Sequence, residues 1–390
     1  MEAVAGAFDK GDAAAKEAAL TALSSWADSA AAGELYRISS EGSGSHAVRA
    51  LDGYIGLVSK AAYAPAGKLL ALRKAMDIAK TVGQKRRIIA EAQKTGTFPA
   101  LMFVGSYLEE SDLRQAAAQA VMNIALDHKE YYGTAVKELL NKTINSLQGQ
   151  DSDYQKEAIR KHLSEMPSDE GFVNLFNGKD LSGWKGLVAN PIERAKMSEK
   201  ELAAAQEKAD REMREGWIVE DGHLVFTGHG NNICTVEKYG DFELFVDWKI
   251  QKDGDAGIYL RGTPQVQIWD TSRVDVGAQV GSGGLYNNQK HESKPLRLAD
   301  NAIGDWNTFH IIMKGEKVTV YLNGVLVVDN VVLENFWDRS LPIFPEEQIE
   351  LQAHGTRVAY RDIYLRRLSG DIEKFALSEE EEKEGFEVLF

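Results

Sequence analysis

The side chains able to do chemistry lie on segments that alternate apolar and polar. In Phe242–Ile250, Val246, Trp248 and Ile250 share one face and Asp247 takes the other. Ile258 and Leu260 leave Tyr259 and Arg261 opposite. Val266 and Ile268 leave Gln265, Gln267 and Trp269, and Leu351 and Ala353 leave Glu350, Gln352 and His354. If every apolar set packs inward, Asp247, Arg261, Gln265, Gln267, Gln352 and His354 are expected on one polar surface. Such a set suits a polyol, and the rings of Tyr259 and Trp269 can stack on a sugar. The glycine-rich loop 281–288 (GSGGLYNN) lacks the Lys-Ser/Thr ending of a phosphate loop. It reads as the rim of a pocket, with Tyr286 and Lys290 near the ligand, and nothing in the pattern calls for a nucleotide or a flavin.

Each of these residues also has a plainer role. Asp247 and Arg261 can form a cross-strand ion pair, and His354 can be a structural histidine at a strand end. The glutamines can pair with backbone or with each other, and Asp270 can cap a turn. Cys234, the one cysteine, reads as a small buried hydrophobe. The histidines form no HxxxH or HExxH pair. A divalent cation would therefore have to draw on His354, Asp247, Glu350 and Asp270.

Two kinds of element must position these groups. Before Met166-Pro167 apolar residues recur at helical spacing, as in Leu69, Leu72, Ala75, Met76 and Leu113, Ala117, Ala120, Val121, Ile124. With breaks at Glu41–Gly44, Ala64–Gly67 and Thr95–Thr97, roughly six to eight helices are expected over residues 1–166. After it come short strands: 242–250, 257–261, 265–269, 308–314, 317–322, 325–328, 349–353 and 359–365. Turns such as Asn323-Gly324 separate them. Many short strands at regular spacing argue for an antiparallel sandwich over 171–369. One helix interrupts it at about 190–215, opened by the capping box Ser198/Glu201. It reads either as a lid over a site or as decoration on a sheet edge.

The chain has 390 residues and a net charge of −14. Its length asks for more than one core. Its acidity argues against nucleic acid and anionic membranes as partners. No stretch approaches the apolar length of a membrane span. The opening MEAVAGAFDK shows no basic or apolar signal-peptide region. Near the end, Glu384–Phe390 (EGFEVLF) repeats the pattern of Glu170–Phe176 (EGFVNLF) after another helix start at Ser378/Glu381. Residues 370–390 thus read either as a linker and the start of a second sandwich in a longer natural chain or, at Glu387–Phe390, as part of a protease-cleavage tag.

Several segments in order resemble the 3-keto-disaccharide hydrolase domain family. They are Gly171–Trp184 (GFVNLFNGKDLSGW), Tyr239–Leu244, Ala256–Arg261, Val266–Asp270, Gly304–Thr308, Tyr321–Gly324 and Leu351–Gly355. The helical part looks like HEAT-type helix pairs, which dock partners on concave surfaces. The resemblance implies a multidomain chain, with a concanavalin A-like jelly roll of the kind found in exported, periplasmic bacterial proteins. It further implies activity on glycosides oxidised at C3, with a partner oxidoreductase that makes the keto sugar.

On such a substrate the ketone acidifies the C2 proton. A base can remove it, the enolate charge rests on the C3 oxygen, and the aglycone leaves C1 with help from an acid. His354 or Asp247 is the candidate base, and Arg261 or a divalent cation the candidate stabiliser of the enolate. The ExDxxE and ExDxE patterns of double-displacement jelly-roll glycosidases are absent. Two other readings compete: a carbohydrate-binding module using the same face without turnover, and a scaffold whose helices and sandwich dock partners.

Overall fold

The computed structural model describes residues 1–368. The repeat at 384–390 and the helix start at Ser378 lie outside the described residues. The first 165 residues form ten α-helices, more than the spacing alone predicts. They are α1 (Glu2–Lys10), α2 (Ala13–Ser24), α3 (Ala32–Glu41), α4 (Gly44–Lys60), α5 (Pro65–Ile78), α6 (Val82–Gln93), α7 (Phe98–Gly105), α8 (Arg114–Asp127), α9 (Thr134–Ser146) and α10 (Ser152–Glu165). The extra helices come from side-chain caps that restart a helix within alanine-rich runs. Asp12, for example, accepts from Ala15 N and starts α2 just after α1 ends. Thr81 and Thr97 do the same for α6 and α7, and Pro65 and Pro99 occupy first turns, where a missing N–H costs nothing.

The sandwich comprises β1 (Phe172–Asn174), β2 (Trp184–Gly186), α11 (Pro191–Arg194), α12 (Glu199–Gly216), β3 (Trp217–Glu220), β4 (His223–Phe226), β5 (Ile233–Thr235), β6 (Phe242–Ile250), β7 (Asp255–Leu260), β8 (Thr263–Trp269), β9 (Asn307–Lys314), β10 (Lys317–Leu322), β11 (Val325–Val332), β12 (Glu350–Leu351) and β13 (Val358–Arg367). The larger sheet runs β11-β10-β9-β6-β13-β4-β3, and β1 pairs with the far half of β13. The smaller sheet runs β2-β5-β12-β7-β8. All pairings are antiparallel. The turn Asn323-Gly324 takes positive φ at both residues, as a tight hairpin requires. Leu244, Val246, Trp248 and Ile250 from one sheet meet Ile258, Leu260, Val266 and Ile268 from the other in the core.

The helical region covers the outer face of the larger sheet. Phe98 of α7 stacks on Phe172 at 4.1 Å and on Phe245 at 5.5 Å, with Tyr364 edge-on. Beside this aromatic patch, α5 supplies Arg73, whose Nη1 lies 3.2 Å from Asp247. Asp247 also accepts from Arg361 Nε at 3.1 Å and from Thr308 Oγ1 at 2.5 Å. These contacts tie Asp247 into the join between sheet and helices. The alternation along β6 is as expected, but β6 belongs to the larger sheet, so its polar face looks toward the helices.

Candidate active site

The outer face of the smaller sheet gathers most of the other expected residues. Its register brings Lys185 (β2), Cys234 (β5), Glu350 (β12) and Tyr259 (β7) into one row across four strands. Gln265 and Gln267 of β8 continue it, because their neighbours Val266 and Ile268 point into the core. Gly257 lies on the same face, where a Cβ would meet Gln265 Cδ at 2.6 Å. Glycine there makes room for the glutamine.

Hydrogen bonds then run along this face. Gln265 Nε2 donates to Gln267 Oε1, and Gln267 Nε2 donates to Asp255 Oδ1 at 2.8 Å. Asp255 Oδ2 lies 3.2 Å from Arg273 Nη1 and 3.8 Å from His354 Nδ1. Gln352 Nε2 donates to Tyr259 Oη at 3.4 Å. Burial grades along the face: His354 is 55% exposed, Asp255 18%, and Glu350 is buried.

Glu350 is the chemically unusual group. Burial pushes its carboxyl up to about 8, against the opposing pull of Arg194. It is therefore a neutral acid at pH 7. Its Oε2 has no hydrogen-bond partner among the described residues, and neither does Gln352 Oε1 two residues along the strand. Buried polar atoms are normally paired. Two unpaired ones lie two residues apart among polar side chains, an arrangement that can pair with the hydroxyls of a ligand. By contrast, burial pushes the Cys234 thiol up to about 12, which removes it as a nucleophile at neutral pH.

The helical insert covers a sheet edge, one of the two roles read from the sequence. Helix α12 seals the edge of β2: Gln206 Nε2 donates to Gly186 O at 2.8 Å, and Asp210 Oδ1 accepts from Gly186 N at 2.9 Å. The short α11 instead delivers Arg194 to Glu347 at 2.8 Å and Gln348 Oε1 at 3.1 Å, next to Glu350.

Several expectations need correction. Asp247 lies across the sandwich, on the larger sheet. Arg261 sits in the β7–β8 turn at φ +49°, where its Nε donates to Gly240 O at 2.8 Å and its Nη2 pairs with Asp241. Its guanidinium serves the turn and not the polar face. Asp270 caps a turn, accepting from Asp253 N at 2.8 Å and Ser272 N at 2.9 Å. His354, Asp247, Glu350 and Asp270 are thus dispersed, and among the described residues no group of three His, Cys, Asp or Glu is arranged as a metal site. Trp269 is buried and donates to Gly281 O at 2.8 Å, with Tyr286 edge-on at 5.4 Å. Both line a cavity of about 170 Å³ with Gln267 and Lys294. Lys290 does not line it; its backbone N–H bonds Glu334.

Asp255, Arg273 and Arg194 escaped the sequence reading. Asp255 was legible by one more step of alternation from Gly257 and Tyr259. Arg273 and Arg194 reach the face from loop and insert, where no period operates.

Comparison with known proteins gives one strong match: residues 171–366 match the 3-keto-alpha-glucoside-1,2-lyase-like domain family. A 3-keto-disaccharide hydrolase of Bacteroides thetaiotaomicron is 25% identical over 105 residues, which are 24% of this chain and 29% of that protein. Two solved structures from Parabacteroides distasonis, provisionally assigned as glycosyl hydrolases, align at 27% and 23% identity, each with a TM-score of 0.38. They cover 52% and 51% of this chain, and 85% and 94% of theirs. Through the match over half of its length, the chain belongs to the 3-keto-alpha-glucoside-1,2-lyase-like domain family.

Proposed function

We propose that the outer face of the smaller sheet is the active site of an enzyme that cleaves 3-keto-glycosides. The observation that carries this reading is Glu350, a protonated carboxyl with a free oxygen beside the free Gln352 Oε1. His354, whose Nδ1 lies 3.8 Å from Asp255 Oδ2, is the base that takes the C2 proton. The electrons of that C–H bond form the C2=C3 enolate. They then return to make the C1=C2 bond as the C3 ketone re-forms and the C1–O bond breaks. Glu350 gives its proton to the departing glycosidic oxygen. Water adding across C1=C2 completes a net hydrolysis, and without it the reaction is an elimination. Arg273, paired with the same Asp255, is a positive charge on this face that can take the enolate role first given to Arg261. Gln265, Gln267, Tyr259 and Gln352 hold sugar hydroxyls. No step is routed through a cation. A sugar oxidoreductase must supply the substrate, and an exported location is consistent with such a pair.

The test separates base from acid. In D2O, NMR follows exchange of the C2 proton of a 3-keto-glucoside alongside release of its aglycone. Glu350→Gln should keep exchange and lose release, whereas His354→Ala should lose both. A chain that binds the sugar but neither exchanges nor cleaves it is a carbohydrate-binding module, and the enzyme reading then fails.

A further inference from the structure

A second cavity, of about 650 Å³, opens between the helical region and the outer face of the larger sheet. Its volume falls in the range of roughly 300–1,000 Å³ typical of small-molecule sites, which favour junctions between structural units. Lys249 points into it by the same alternation that turns Phe245 and Asp247 toward the helices. The cavity therefore lies on the far side of the sandwich from Glu350.

The walls combine rings with opposite charges. From the helices come Tyr36, Tyr54 and Tyr63. The first two lie 5.6 Å apart and tilted, and Tyr63 is 41% exposed. From the sandwich comes Trp306, with Lys249 Nζ 4.8 Å from its ring centre. Lys74 bridges the two walls, meeting both oxygens of Asp305 at 2.8 Å. Among the described residues Lys249 has no carboxylate partner and Asp77 no cationic one, although both line the cavity.

Tyr63 is exposed, Tyr54 is buried, Lys74 lies over the Tyr36 ring at 4.5 Å and Arg361 over the Trp306 ring at 4.0 Å. An exposed ring beside charged groups in a concave site matches ligands that have apolar faces and polar rims. An unpaired ammonium and an unpaired carboxylate within one cavity call for a ligand that both accepts and donates without net charge. Asp77 and Asp305 weigh against an anion, and Lys74 and Lys249 against a cation. We propose that this cleft is a second saccharide site, which binds a neutral oligosaccharide between the helical region and the sandwich. A ligand touching both walls binds only the docked arrangement, so occupancy also holds the helices on the sheet.

The test uses the full chain and unoxidised sugars, which lack the C3 ketone that the proposed catalysis needs. Maltotriose, cellotriose and laminaritriose are titrated calorimetrically into wild type, Tyr63→Ala, Lys249→Ala and Glu350→Gln. At least one trimer should bind with Kd of about 1 mM or tighter. Tyr63→Ala and Lys249→Ala should each weaken it by about tenfold or more, and Glu350→Gln should leave it unchanged. Tyr63 is solvent-facing, so the melt of its variant should match wild type, while Lys249→Ala loses only the contact with the Trp306 ring and should unfold in one cooperative transition close below it. No binding by any trimer overturns the proposal. So does binding indifferent to Tyr63 and Lys249, binding lost in Glu350→Gln, or tighter binding of trigalacturonate than of every neutral trimer.

Discussion

Replacing Glu350 with glutamine should change how stability depends on pH. In the folded chain its carboxyl titrates at about 8, and its ordinary value is 4.5. Between those values the unfolded chain has released the proton while the folded chain keeps it. A raised carboxyl of this kind contributes stability that is fully present below pH 4.5. That contribution declines through the interval and is gone above about 8, at a slope of about 1.4 kcal/mol per pH unit. Over the whole interval the effect is roughly 5 kcal/mol. Glutamine is nearly the same shape and does not titrate. Denaturant melts of wild type and Glu350→Gln at pH 5, 6, 7 and 8 therefore isolate the carboxyl. Relative to wild type, the variant should gain about 1.4 kcal/mol with each pH unit from 5 to 8. A difference that stays flat over that range would mean Glu350 titrates normally, and the acid assigned to catalysis would already be ionised at neutral pH.

Other perturbations probe the remaining parts. Asp255→Asn should slow turnover by roughly 10²-fold or more, with little change in binding, because it removes the negative charge 3.8 Å from His354 Nδ1; kcat and KM measured separately decide this. Asp247→Ala removes one of the two carboxylates, Asp247 and Asp362, that Arg73 and Arg361 share. It should cost about 1–3 kcal/mol, seen as a lower thermal midpoint, while activity at low temperature persists. Phe98→Ala should cost roughly 3–5 kcal/mol and expose the join between helices and sheet to limited proteolysis.

Strand alternation located the polar face well where the strands share a sheet. Tyr259, Gln265, Gln267, Glu350 and Gln352 fall together because β7, β8 and β12 are neighbours. The same rule misplaced Asp247, since alternation says which side of a strand is polar but not which sheet the strand joins. Sheet membership depends on long-range pairing, here β6 between β9 and β13. Arg261 failed for another reason: the strand ends one residue earlier, and a residue at positive φ leaves the alternating frame. The unpaired atoms of Glu350 and Gln352 were beyond the sequence, because which polar atoms find partners depends on packing between segments far apart in the chain.

The most direct measurement of the central claim compares leaving groups at pH 7. Aglycone release from 3-keto-β-glucosides and their α anomers is followed for wild type and Glu350→Gln, with and without chelator. One series carries an alkyl aglycone and the other 4-nitrophenol. If Glu350 is the acid, the variant should be slower by roughly 10²-fold or more on the alkyl series and close to wild type on 4-nitrophenol, which leaves without a proton. Equal rates for variant and wild type on the alkyl series would contradict the account, and loss with chelator alone would move the catalytic role to a cation.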